Sequence, residues 1–142
     1  MVYSDIPDHT VPGGTLPPNI LITSLKPDIV AVQDNNKSIM IIELTIPFEP
    51  NIRKAHERKE MKYSCLIDDL IEEGYNTQLY CIEVGSRGLI SPDNERHLQS
   101  LFQASKRDIK NLKKDLSRIS LLSNYTEWNA QCNQAWENCP YL

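Results

Sequence analysis

Two acidic residues stand in otherwise apolar runs. Asp28 opens Asp28-Ile29-Val30-Ala31-Val32-Gln33, and Glu43 lies inside Ser38-Ile39-Met40-Ile41-Ile42-Glu43-Leu44-Thr45. The linker between them, Asp34-Asn35-Asn36-Lys37, has the Asn-rich make-up that tolerates the positive φ of a tight hairpin. With Asn35-Asn36 as a two-residue loop, Val32 faces Ile39, Val30 faces Ile41 and Asp28 faces Glu43. Directly opposed Cβ atoms on an antiparallel pair are about 4.5–5.5 Å apart, and two carboxylates that close repel each other. A shared proton, an intervening cation or a different register would relieve them. A hard divalent cation is suited to such oxygen ligands. A charge at a strand end that simply reaches water explains Asp28 taken alone. It explains Glu43, inside its oily run, less well.

The segment that follows contributes nitrogen and a phenol. On a 3.6-residue period, Ile52, Lys59 and Leu66 fall nearly in line with Ala55, Leu70 and Tyr63. Lys59 therefore lies in the apolar stripe, where it must either snorkel outward or meet a negative charge. Lys62 sits on the flank and could take its place, Tyr63 is one turn on, and His56 reads as a neighbour of the site or a nucleic-acid contact. No Ser/His/Asp or Cys/His arrangement suggests a covalent intermediate. Cys65 and Cys81 sit among apolar residues and read as reduced core thiols; a Cys132–Cys139 disulfide stays open. No C-x-x-C pair supports a structural zinc.

These residues require a scaffold. The hairpin is apolar on both faces, which calls for cover on both sides and hence an α/β layer. A helix is expected over 50–73, with Pro50 in its first turn and Gly74 at its end, then a strand over 77–84 and the loop Gly85-Ser86-Arg87-Gly88, open enough for backbone to approach a ligand. From Asp93 the recurrence of Leu98, Phe102, Ser105, Ile109, Leu112, Leu116 and Ile119 predicts one long amphipathic helix. The first 27 residues hold five of the nine prolines, which predicts an extended arm with Ile20-Leu21-Ile22 as a short strand or clip. The expected organisation is an arm over 1–25, a core with its C-terminal helix over 26–122, and a closing segment over 123–142.

The 142 residues carry a net charge of −4, from 15 basic and 19 acidic residues. A global cationic field is therefore excluded, and any nucleic-acid contact must use local patches. Arg53, Lys54, Arg58, Lys59 and Lys62 form one such patch, and Lys106, Arg107, Lys110, Lys113, Lys114 and Arg118 a second. A solvated helix face with i,i+4 pairs is the alternative, and it explains the second patch at least as well. No apolar run reaches the roughly 18 residues of a membrane span, and Met1-Val2-Tyr3-Ser4-Asp5 lacks the make-up of a secretory signal. The expectation is an intracellular chain with no membrane association.

Lys26-Pro27-Asp28, followed after 14 residues by Glu43-Leu44-Thr45, resembles the PD-(D/E)XK core of restriction-endonuclease-like nucleases. The stretch Ala55-His56-Glu57-Arg58-Lys59-Glu60-Met61-Lys62-Tyr63 narrows the likeness to the endonuclease domain of site-specific non-LTR retrotransposons, over about residues 25–87. Thr45 stands where that pattern ends in lysine; in several branches the lysine comes from the following helix, here Lys59. The resemblance implies hydrolysis of DNA phosphodiesters with Mg²⁺ or Mn²⁺. Asp28 and Glu43 would hold the metal with help from the Leu44 carbonyl, and Lys59 or Lys62, with Tyr63, would act at the phosphate. Arg53, Lys54, His56, Arg58 and Arg87 would contact DNA. It further implies a nuclear location, a chain cut from a longer retroelement polyprotein, and a homodimer for cutting both strands. The alternatives are an inactive nuclease fold kept for DNA binding or dimerisation, and an interaction protein that docks through its C-terminal helix.

Overall fold

The computed structural model describes residues 2–4 and 16–132. It is a mixed α/β structure in two compact units, Met1–Thr45 with Arg53–Ile82, and Ile46–Ile52 with Glu83–Leu142. No helix among the described residues is long and apolar enough to cross a membrane.

The first unit is built on the hairpin. β1 (Val2–Ser4), β2 (Ile29–Gln33), β3 (Ser38–Thr45) and β4 (Asn76–Glu83) lie in that order in one sheet. β2 and β3 pair antiparallel with Val32 opposite Ile39, Val30 opposite Ile41 and Ile29 opposite Ile42, the register expected with Asn35-Asn36 at the turn. The turn is built differently. Asp34–Asn36 form a single 3-10 turn, and the left-handed residue that closes it is Lys37 at φ 46°, not an asparagine. Asn76 N–H donates to the Lys37 carbonyl (2.8 Å), so β3 and β4 start at the same end of the sheet. Between them runs α1 (Ile52–Glu72), the long crossover that parallel neighbours need.

Val30, Val32, Ile39 and Ile41 are buried and pack with Tyr63, Leu66 and Leu70 of α1, while the opposite face of the hairpin is only half covered at Ile29, Ala31 and Met40. The helix ends where Gly74, at φ 85°, lets its own N–H reach the Ile71 carbonyl and the Tyr75 N–H the Leu70 carbonyl. That pair of bonds satisfies carbonyls a helix end would otherwise leave orphaned. The proline-rich stretch is not free of the domain. Val2–Ser4 pairs with β2, and Leu16 is buried with Ile20, Leu21 and Leu25 packed beside it, because their apolar area outweighs the stiffness of the intervening prolines. Cys65 is exposed, not a core thiol, whereas Cys81 is buried. Residues 5–15 of the expected arm and Cys139 lie outside the described residues.

In the second unit the expected long helix is two. α2 (Pro92–Phe102) ends at Gln103, which is left-handed at φ 45°, and α3 (Lys106–Cys132) starts afresh. Ser105 is a cap, not a core position: its Oγ accepts the Asp108 N–H (3.2 Å) and donates to the Asp108 carboxylate (2.6 Å). Leu98 and Ile109 are buried, whereas Phe102 and Ile119 are exposed. Tyr125 and Trp128 continue α3.

Candidate functional site

Glu43 is the centre of a convergence of side chains in the first unit. It is 2 % exposed, held there because β3 must keep its buried face inward while its strand passes beneath α1. The Asp28 N–H donates to Glu43 Oε1 (3.1 Å), and the Leu44 N–H donates to Asp28 Oδ2 (2.7 Å). Each acid is thus fastened to the backbone of the opposite strand at the open end of the hairpin. Leu44 enters this bracket through its amide N–H.

Lys59 lies in the apolar stripe of α1 between Ala55 and Tyr63, and its Nζ forms an ion pair with Glu43 Oε2. The repulsion expected of the two carboxylates is therefore relieved by an ammonium from the helix and by a backbone N–H on each acid. Tyr63, fully buried one turn on, accepts a hydrogen bond from Lys62 Nζ (2.9 Å) and lies 3.3 Å from the Lys26 carbonyl oxygen. Burial pushes its hydroxyl well above the ordinary phenol range, reinforced by a hydrogen bond to Glu43 and by the negative fields of Glu43 and Asp28. Tyr63 is consequently a neutral hydrogen-bonding group at any physiological pH. Lys62 also sits 4.6 Å from the centroid of the Tyr63 ring.

Asp28, Glu43, Lys59, Lys62 and Tyr63 therefore come together. The residues assigned to DNA contact divide. Arg53, Lys54 and Arg58 are exposed on α1, with Arg53 paired to Glu57 at 3.0 Å. His56 is half-buried, with Nε2 3.3 Å from Glu60. Its imidazole and the buried Cys81 thiol offer ligand atoms within 4.8 Å of one another, a softer pair than the carboxylates. Cys81 was placed in the core by its apolar neighbours, and nothing in its spacing marks it as a partner of His56.

Arg87 belongs to the second unit and has a structural partner. Its backbone N–H and its side-chain Nε (2.9 Å) both donate to the Glu49 carboxylate, and its guanidinium lies 5.3 Å from the Phe48 ring centroid. The partial burial of Glu49 works to raise its pKa, but the Arg87 hydrogen bonds outweigh that and hold it below the ordinary carboxylate range. The loop from Gly85 to Gly88 is not open for a ligand either. Ser120, Ser117 and Asn124 of α3 donate to the carbonyls of Gly85 (2.8 Å), Gly88 (2.7 Å) and Ser86 (2.7 Å). Its glycines admit close approach of Glu49 and α3, and glycine content alone did not distinguish that use from ligand binding.

The donor set of Asp28 and Glu43 suits a hard divalent cation. Two carboxylates supply oxygen, the single Lys59 offsets one of their two charges, and the Asp28 side chain is only half-buried. No family model matches the chain, and no curated protein matches it. Among solved structures it is similar to an N-terminal domain of a reptarenavirus L protein, at 19 % identity and a TM-score of 0.40, over 69 % of this chain and 54 % of that one. The chain thus spans about half the length of that solved structure.

Proposed function

We propose that the chain is a divalent-metal-dependent nuclease of the PD-(D/E)XK kind that hydrolyses DNA phosphodiesters. The observation that carries this reading is the buried Glu43 carboxylate, met by the Asp28 amide, the Lys59 ammonium and the Tyr63 hydroxyl at one end of the hairpin. A buried acid costs several kcal/mol of desolvation, on the order of the whole stability of a domain. A hydrophobic residue at position 43 would serve packing alone at least as well.

Asp28 and Glu43 would hold Mg²⁺ or Mn²⁺, which supplies a water of lowered pKa and positive charge against the scissile phosphate. Lys59 can turn from Glu43 to a phosphate oxygen, and there neutralise the charge that builds as the nucleophile attacks. Tyr63 stays protonated and fixes Lys62 and the Glu43 carboxylate. Arg53, Lys54 and Arg58 offer cations to the flanking phosphates. A retroelement origin within a longer polyprotein, nuclear action and a homodimer for double-strand cleavage are parts of the same proposal.

Plasmid nicking with Mg²⁺ or Mn²⁺ tests it. Wild type should nick, while Asp28→Ala, Glu43→Ala and Lys59→Ala should each lose at least a hundredfold in rate. A wild type that is silent with either ion refutes the reading. A second reading, a nuclease fold kept for DNA binding or dimerisation, is favoured by Thr45 in place of the usual lysine and by a Lys59–Glu43 pair that satisfies the buried acid without an ion. It predicts that Mn²⁺ leaves the thermal stability unchanged, whereas a working site gains stability in proportion to ion binding.

A further inference from the structure

We propose that α3 carries a docking face for single-stranded nucleic acid, with a row of cations for phosphates and an aromatic end on which bases stack. At 100° per residue, Arg107, Lys110, Lys114 and Arg118 share one side of the helix with Tyr125 and Trp128. Asp108 and Glu127 lie away from that side, and Asp115 lies at its flank, three residues before Arg118. All four cations are exposed, and no acid pairs with them among the described residues. Lys113, at the edge of the row, is the exception and is bound to Glu95. A helix whose charges serve only solubility closes i,i+4 pairs along its surface; here these four cations close none among the described residues.

The shape and the aromatic residues fit the same ligand. The aliphatic stems of Lys110, Lys113, Lys114 and Arg118 line a shallow, mostly apolar groove of about 610 Å³ with Leu121 and Leu122. Beyond it Tyr125 and Trp128 are 63 % and 62 % exposed. Lys110 to Trp128 spans roughly 27 Å at 1.5 Å per residue. Duplex bases are stacked on one another and offer such rings nothing, whereas single-strand bases are free to stack on them. The assignment leans on the nuclease reading only for the class of substrate, since these residues are not those assigned to phosphodiester cleavage.

The test is equilibrium binding of the full chain to an oligo-dT of about 15 nucleotides, a length within the site sizes known for single-strand binders, and to a duplex of equal length, in chelator. Four phosphates neutralised on a single strand give a slope of log K against log salt of about −3, or roughly a fiftyfold loss of affinity from 50 to 200 mM salt. Lys110→Gln/Lys114→Gln should make the slope shallower by about 1.4, half of the α3 contribution. Trp128→Ala should weaken oligo-dT binding roughly five- to 150-fold at every salt concentration and leave duplex binding unchanged. Circular dichroism confirms folding, which these exposed positions should not disturb. Oligo-dT affinity indifferent to both variants overturns the proposal. So does duplex binding that falls as much as single-strand binding in Trp128→Ala, or a dimer in sedimentation that Trp128→Ala dissociates while oligo-dT binding persists. A protein that binds oligo-dT in this way but never nicks sinks the nuclease reading and leaves this one standing.

Discussion

Lys59→Met removes the ammonium from the buried acid and keeps the length of the apolar stem. The pair is 18 % and 1 % exposed at its two side chains, so Glu43 loses its counter-charge with almost no water to replace it. Removing one partner of a buried pair costs about 3–5 kcal/mol. The Asp28 N–H and Tyr63 hydroxyl remain on Glu43, which argues for the lower end, about 3 kcal/mol. Amide exchange in β3 reads the local opening free energy of the first unit alone. Lys59→Met should fall by that amount at pH 7. Glu43→Gln/Lys59→Met, with both charges gone, should lie within about 1 kcal/mol of wild type, because paired removal of buried charges is close to neutral. A Lys59→Met protein within about 0.5 kcal/mol of wild type refutes the reasoning, as does a double variant that equals the sum of its singles.

Tyr63→Phe should cost about 1–2 kcal/mol in urea unfolding, the worth of its hydrogen bonds. Because its hydroxyl pKa is raised in the fold, its stabilisation is complete below the ordinary phenol pKa of about 10 and fades as pH climbs beyond; the alkaline fall in stability should be shallower in Tyr63→Phe. Glu49 is lowered, so its clasp on Arg87 is intact above the ordinary carboxylate pKa of about 4.3 and is lost as pH drops through its own value. Glu49→Gln should flatten the acid limb of the pH–stability curve. Gly85→Ala puts a Cβ 2.7 Å from Glu49 Oε1, a carboxylate Arg87 already pins, and should destabilise by about 1–3 kcal/mol in amide exchange of α3. An alanine tolerated there would mean Glu49 moves aside freely.

The hairpin register was legible because Asn35-Asn36 falls midway between the two runs, which fixes the partners on β2 and β3 even though both faces are apolar. Glu43 stood out as the one charge in its apolar run, and Lys59 as the one charge in the stripe of α1. Other features carried weaker signals. β1 is three residues long and owes its pairing to β2. The break between α2 and α3 falls on a left-handed Gln103 with no glycine to announce it, although Ser105-Lys106-Arg107-Asp108 is a capping box in plain view. Arg87 and the glycines beside it read as a ligand loop, because the sequence does not show that Glu49 and three side chains of α3 would occupy the same backbone groups.

The acid pair sits at the open end of the hairpin, and the Asp34–Lys37 turn closes the other, some five residues or about 17 Å of strand away. Tolerance to change should differ sharply between the two ends. Foreign sequence spliced at Asn35-Asn36 would leave the carboxylates undisturbed so long as the strands stay in step, which makes the turn the natural graft point for a tag, a fluorophore or a targeting module. The same insertion next to Pro27 or Thr45 would pull apart the two acids that lend each other their anchorage.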